Sequence, residues 1–317
     1  MQKLLILILA LVASPALAQD YPNRPIKLIV GFPPGGSGDF TTRLIGDELQ
    51  KQLGVSVVVE NRPGAGGSIA GDAVAKSPAD GYTLLNGGHP AIIKALYPKL
   101  AFDPDKDLVP VCLVATGTTV LVVRSDAPYK TLAELVGFAK ANPGKLFSGA
   151  AGFGSAPHLA SVGFESAAGV KLTTVQFKGG GPAAQSLLAG DTQLMFATSP
   201  TVMGFIKAGR MHPILVSKRN ASPSIPGIPG AEEAGLANYE STFWFGLFAP
   251  AGTPAPTIKR LHEAAAKSLA RAEIRERIAQ QGMDATPSAS PEAFAAQIRA
   301  ESPGWEKTIR ESGAKVE

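Results

Sequence analysis

The stretch Ile26-Lys27-Leu28-Ile29-Val30-Gly31-Phe32-Pro33-Pro34-Gly35-Gly36-Ser37-Gly38-Asp39-Phe40 decides how the chain is read. Ile26 to Phe32 is an apolar run of the kind that forms a buried strand. A glycine-rich break follows, and a helical pattern runs from Thr41 to Leu53. A strand that feeds a glycine-rich turn into a helix N-terminus is a physical device for holding an anion. The first-turn N–H groups have no partner within the helix, and the helix dipole places partial positive charge beside them. Glycines let the backbone come close to a ligand. A phosphate and a carboxylate suit such a cradle equally.

Working outward, strand and helix patterns continue to alternate. Val55 to Glu60 reads as a strand, Asn61 to Ser68 as a second glycine-rich turn, and Ile69 to Lys76 as a helix. Tyr82 to Leu85 is a strand that ends in Asn86-Gly87-Gly88-His89-Pro90. Such alternation argues for a parallel sheet covered by helices. Ligands in these sheets sit beyond the C-terminal strand ends, so Phe32 to Asp39 and Asn86 to His89 are expected on one edge. Val109 to Thr116 and Thr119 to Arg124 are two further strand runs.

A second block of similar build then extends to Ser217. Its helices are expected at Leu132 to Ala141, Ser155 to Ala168, Pro182 to Ala189 and Val202 to Ala208. Its strands are expected at Lys145 to Gly149, Thr173 to Phe177, Thr192 to Thr198 and Met211 to Ser217. A proline-rich excursion, Ser222 to Gly230, precedes a strand at Phe243 to Pro250. The rest is helical, with no strands of its own, and is expected to pack on the first block. The chain then crosses between blocks near Val120 to Val123 and near Phe243 to Gly246. The expected architecture is α/β, with two lobes joined by two strand crossings that form a hinge around a ligand cleft. Residues 19–121 with 245–317 form the first domain in this reading, and 122–244 the second.

Composition narrows the function. The 317 residues exceed one ordinary core. A net charge of +4, without a dense Lys/Arg block, gives no argument for nucleic acid. Lys3, the apolar run Leu4 to Val12 and Ala16-Leu17-Ala18 have the form of a signal peptide, residues 1–18, cleaved after Ala18. A periplasmic location is expected. Cys112 is the sole cysteine, so no internal disulfide forms, and it reads as a buried structural residue. Four dispersed histidines make no metal cluster, and no nucleophile elbow, P-loop or H-E-x-x-H motif occurs. No enzyme activity, cofactor or metal is expected.

At this point a set of short motifs acquires meaning. They are Tyr21-Pro22-x-x-Pro25-Ile26, Phe32-Pro33-Pro34-Gly35-Gly36-x-x-Asp39, Val59 to Gly67, Asp80 to Leu85, Pro143 to Leu146, Lys178-Gly179, Phe245 to Leu247 and Ala249 to Pro254. By their order and spacing the chain resembles the Bug (TctC-like) receptors that serve tripartite tricarboxylate transporters. The resemblance implies a two-domain periplasmic-binding-protein fold, type II-like, that closes on small carboxylates. It also implies membrane permease subunits as partners of a receptor expected to act as a monomer. Sensing, in which the closed receptor docks on a membrane histidine kinase, needs the same ligand-gated surface and stays open. Two positions depart from the family pattern. Ala197-Thr198-Ser199 stand where many members carry an acid, which argues against amino-acid ligands. His89 stands where a small or polar residue is expected, and would add a donor.

The candidate site follows. Phe32, Gly35, Gly36, Ser37, Gly38 and Asp39 form one jaw. Ser37 is either the helix N-cap or a ligand donor. Asp39 would repel a carboxylate and is read as holding backbone N–H groups in place. Asn86, Gly87 and His89 adjoin this jaw. The opposite jaw is Ala150, Gly152, Phe153, Gly154 and Ser155, with Lys178, Gly179 and Thr198. Phe32 and Phe153 either flank the ligand or pack in a core. Lys178 faces either cleft or solvent, and His158 either packs or makes contact. An anion site in each lobe suits a di- or tricarboxylate, including one with a ring.

Overall fold

The computed structural model describes residues 21–97 and 99–312. The expected signal peptide lies outside the described residues. The first lobe begins with β1 (Ile26–Val30), which runs parallel to β2 (Val57–Asn61) on one side and to β3 (Thr83–Gly87) on the other. Between β1 and β2 lies α1, Ser37–Leu53. It ends at Gly54, whose φ of 73° is the left-handed conformation that terminates helices, with its N–H bonded to the Gln50 carbonyl. α1 starts four residues earlier than its sequence pattern suggests. The Phe40 N–H bonds the Gly36 carbonyl, and the hydroxyls of Thr41 and Thr42 bond the carbonyls of Ser37 and Gly38. These bonds offset the poor helix propensity of glycine and serine.

α2 (Ser68–Ala75) precedes β3, and α3 (Pro90–Leu96) follows it. The sequence analysis has no helix at α3. It is short, and its cap is the unusual His89, whose Nδ1 accepts the Ala91 N–H at 3.1 Å.

The two runs expected around Gly117 are one strand, β4 (Leu108–Arg124), 17 residues long. It spans roughly 55 Å at the usual strand rise. Its first part pairs with β9 (Thr242–Pro250) on one edge and with β10 (Met283–Ala285) on the other. Its second part pairs with β7 (Leu194–Thr198) and β8 (Met211–Val216). The change falls between Thr118, opposite Thr242, and Thr119, opposite Thr198. Buried hydroxyls hold this seam. Ser217 Oγ lies 2.9 Å from Thr118 Oγ1 and 2.7 Å from Thr119 Oγ1, and it donates to the Ser241 carbonyl at 2.6 Å.

The second lobe adds α4 (Leu132–Ala141), β5 (Phe147–Ala150), α5 (Ala156–Ala168), β6 (Thr173–Gln176), α6 (Gly180–Ala189) and α7 (Ser199–Lys207). β5 is parallel to β6 and β7. The strand order is β2-β1-β3-β9-β4-β7-β5-β6, so one sheet runs through both lobes.

The chain closes with α8 (Ala255–Leu269), α9 (Ala272–Ala279), β10 and α10 (Pro291–Ser312). β10 corrects the reading of this segment as wholly helical. The buried face of α8, including Ile258, Leu261 and Leu269, joins Leu44, Ile45 and Leu49 of α1 in the first core. Glu48 is fully buried between them, 2.6 Å from Arg271 Nη1 and 2.7 Å from Lys51 Nζ. A buried carboxylate needs such partners. Leu121, Phe164, Leu194, Phe196 and Leu215 centre the second core.

Cys112 is fully buried in β4, and burial pushes its thiol up to about 11 against the pull of hydrogen bonds with Ser288. The thiolate is the reactive form. Cys112 should therefore resist a thiol-titrating reagent at pH 8 in the native protein and react fully after unfolding. Native reactivity at the unfolded rate would contradict this packing.

Candidate functional site

A cavity of about 340 Å³ lies between the lobes. Five helices begin at its wall: α1, α3, α5, α6 and α7. Two of them are closed by side chains. His89 caps α3, and Ser155 caps α5 by accepting the His158 N–H at 3.4 Å. The other three have no side-chain cap. They start after Gly36, Gly179 and Thr198. Their free N–H groups at the wall belong to Ser37 and Gly38, to Gly180 and Gly181, and to Thr201. Pro182 is the third residue of α6, not the first as its sequence suggests.

The open ends of α1 and α6 lie next to each other. Gly179 packs against the Pro33 ring, and its φ of 113° is one that side-chain-bearing residues rarely adopt. Gly180 abuts Thr201 in turn, so α7 joins the group.

Ser37 settles at the first position inside α1, with Gly36 as the cap. Its hydroxyl is buried at the wall, 3% exposed, without a hydrogen-bond partner. A buried unpaired hydroxyl is costly, and a ligand acceptor would complete it. No Asp or Glu lines the cavity among the described residues, while exposed Lys178 does. Helix dipoles and charge thus carry the same positive sign.

Of the residues expected here, Phe32, Gly35, Gly36, Ser37 and Gly38 line the first jaw. His89, Gly154, Ser155, Lys178, Gly179 and Thr198 line the cavity as well. Seven others do not. Asp39 accepts the Gly35 N–H at 3.1 Å, and it is held by Arg43 Nε at 3.1 Å and Asn61 Nδ2 at 2.8 Å. Asn61 also bonds the Phe32 carbonyl at 3.0 Å, so this group fixes the turn from behind. Asn86 donates to the hydroxyls of Thr41 and Thr42, which bind the first turn of α1. Gly87 pairs with Gly246 and Ala150 with Gln176 inside the sheet. The Gly152 carbonyl accepts the Ser155 hydroxyl at 2.7 Å.

Phe153 is neither core nor cleft; its side chain is largely exposed, with one edge against His158. His158 is buried, and its Nδ1 accepts the Gly154 N–H at 3.2 Å. Burial pushes it down to about 4, so it is neutral at pH 7. With the Ser155 hydroxyl turned to Gly152 and the His158 ring to Gly154, no nucleophile–base pair forms between them.

His89 also differs from expectation. Its Nδ1 caps α3, which leaves the proton on Nε2, and Nε2 faces Glu301 Oε2 at 3.7 Å. Burial lowers its pKa, against the opposing pull of Glu301. Its ring is neutral, and its buried Nε2–H has no hydrogen-bond partner in the protein.

The sequence analysis overlooks Ile92, Leu159, Trp305 and the strand start Ser241–Phe245, all at the wall. The last has a signal: a hinge strand must run beside the cleft it joins. Trp305 has none, because nothing local in α10 marks which turn reaches the cavity.

Burial opposes ionisation of Asp39, but hydrogen bonds from Arg43, Asn61 and Gly35 outweigh it and hold the carboxyl below its ordinary value. Stability from a depressed carboxyl is present above the unfolded pKa and is lost as pH falls through the folded one. Asp39→Asn should therefore cost about 1–2 kcal/mol at pH 7 by urea unfolding. The gap from the parent should begin to shrink as pH falls below about 4, the ordinary carboxyl value, and close once pH is below the lowered folded value, where both side chains are neutral. A gap independent of pH would contradict this role.

Comparisons with known proteins bear on the family and the fold. Residues 41–313 match the model of the tripartite tricarboxylate transporter family receptor, TctC. Protein BugT of Bordetella pertussis is 36% identical over 309 residues, which is 96% of this chain and 94% of that protein. An R. palustris protein solved with adipate superposes with a TM-score of 0.88 at 32% identity, over 94% of this chain and all of that one. MatC from Rhodopseudomonas palustris, solved with bound malate, gives 0.83 at 32% identity, over 91% of this chain and all of that one. The fold is that of the periplasmic binding proteins, and the family is one of receptors and not of enzymes. The chain belongs to the TctC family of tripartite tricarboxylate transporter receptors.

Proposed function

We propose that the protein captures a small carboxylate in the periplasm and delivers it to the membrane permease subunits of a tripartite tricarboxylate-type transporter. Residues 19–121 with 245–317 act as one lobe and 122–244 as the other, with residues 1–18 removed on export. The receptor works as a monomer.

One observation carries the reading. The uncapped ends of α1 and α6 come from different lobes and meet across the Pro33–Gly179 contact. A carboxylate placed there takes N–H groups from both, so binding and closure are the same event. Each charge-assisted bond contributes about 1.5–3 kcal/mol. A few of them reach the roughly 8 kcal/mol of micromolar binding. Adipate and malate in the two solved relatives support a carboxylate as the ligand class. The absence of an acid from the lining among the described residues disfavours a ligand amine. Sensing through a membrane kinase would use the same closure; the family description favours transport.

A thermal-shift series tests the ligand class. At 100 times Kd, a carboxylate should add about 2.7 kcal/mol to stability. Amino acids should add nothing. Failure of every carboxylate would overturn the reading. Delivery predicts that cells lacking the receptor lose uptake of the same carboxylate.

Gly36→Val gives a sharper test. Gly36 has an extended backbone that valine tolerates, with nothing within 4 Å of an added Cβ. The variant should keep the parent's unfolding midpoint and lose carboxylate binding by at least tenfold, measured by calorimetry. Unchanged affinity would remove α1 from the site.

A further inference from the structure

The donors of this cavity are not evenly spread, and their distribution bears on the body of the ligand. At the α1, α6 and α7 end, Ser37, Gly38, Gly180, Gly181 and Thr201 offer free N–H groups, with Lys178 beside them. The wall formed by α3, α5 and α10 is different. Pro90 and Pro157 have no N–H. The Ala91 N–H goes to the His89 ring and that of Ile92 to the His89 carbonyl. The Gly154 N–H goes to His158, that of Ser155 to the Gly152 carbonyl, and that of His158 to the Ser155 hydroxyl. Of the first-turn N–H groups of α3 and α5 at the wall, the Ala156 N–H is left.

The side chains of this wall are mostly apolar and carry no charge, the ring N–H groups of Trp305 and His89 and the Ser155 hydroxyl being its polar points. Ile92, Leu159 and Trp305 pack in one cluster. No Lys or Arg lines it among the described residues. Behind it stands a negative charge: Glu301 accepts the Trp244 Nε1–H at 2.9 Å and faces His89. A second carboxylate at this wall would give up its water, find the Ala156 N–H and the ring N–H groups of Trp305 and His89 but no cation, and approach an anion. An apolar group would replace water at an apolar surface.

We infer that the ligand is a monocarboxylate with an apolar body, its carboxylate at the α1/α6 end and its body against Ile92, Leu159 and Trp305. This departs from the di- or tricarboxylate expected from the sequence, and it rests on the carboxylate reading proposed above.

Calorimetry on the exported form, residues 19–317, tests it with a matched set: hexanoate, adipate and hexan-1-ol, with 3-phenylpropanoate as a ring-bearing probe. Hexanoate and adipate share a six-carbon chain and differ in the second carboxylate. Hexanoate and 3-phenylpropanoate should each bind at least tenfold tighter than adipate, and hexan-1-ol should not bind. Adipate binding as tightly as hexanoate would overturn this inference and leave the carboxylate reading standing. Hexan-1-ol matching hexanoate, or no binding by any acid, would overturn both. Ile92→Arg places a cation on the apolar wall, and the parent's circular dichroism spectrum confirms its fold. It should move the preference toward adipate by at least tenfold; an unmoved ratio would also overturn the inference.

Discussion

A helix cannot satisfy the N–H groups of its own first turn. In this protein five helices begin around one cavity, so the demand is concentrated where it organises everything else. Two of the helices answer it internally, α3 through the His89 ring and α5 through the Ser155 hydroxyl. α1, α6 and α7 leave it open. The division follows the residue before each helix. Glycine at 36 and 179 has no side chain to turn inward, and the Thr198 hydroxyl pairs with Thr201 Oγ1 at 3.2 Å instead.

Open N–H groups are useful only if they are held still. Behind α1, Asp39, Arg43 and Asn61 tie the turn to β2, and Asn86 ties the first helical turn to β3. Asp39 and Asn86 are buried, Asn61 is half-buried and Arg43 reaches in from the surface, and none of the four lines the cavity, so they fix geometry without competing for the ligand. The second jaw is held by the sheet of the second lobe. The lobes share one strand, β4, and a seam in which a single hydroxyl, Ser217, contacts Thr118, Thr119 and Ser241.

Much of this was legible in the chain. The strand–turn–helix at Ile26 to Leu53 reads directly because apolar periodicity and glycine clustering are local properties. The turns at Gly149 to Ser155 and Gly179 to Pro182 read for the same reason. The misreadings have physical causes as well. Gly117 looks like a break in β4, but pairing on both edges carries the strand through it. α3 has neither length nor an ordinary cap. Ser37 left two roles open, because a serine before a helix suits both. That His89 caps α3 through Nδ1 was not legible, because a sequence shows a ring's chemistry but not which partners its nitrogens take.

By itself, the sequence determined the order of most strands and helices, the glycine turns that end the strands and the suitability of the first turn for an anion. These follow from residue type and spacing within a few positions. Tertiary structure alone decided which helix ends stay uncapped, that α1 and α6 converge at Pro33 and Gly179, and that Ile92, Leu159 and Trp305 make the facing wall apolar. Those outcomes depend on contacts between segments up to about two hundred residues apart, as between Ile92 and Trp305. No local pattern records them, because the apolar face of a helix is the same whether it meets a core or a ligand.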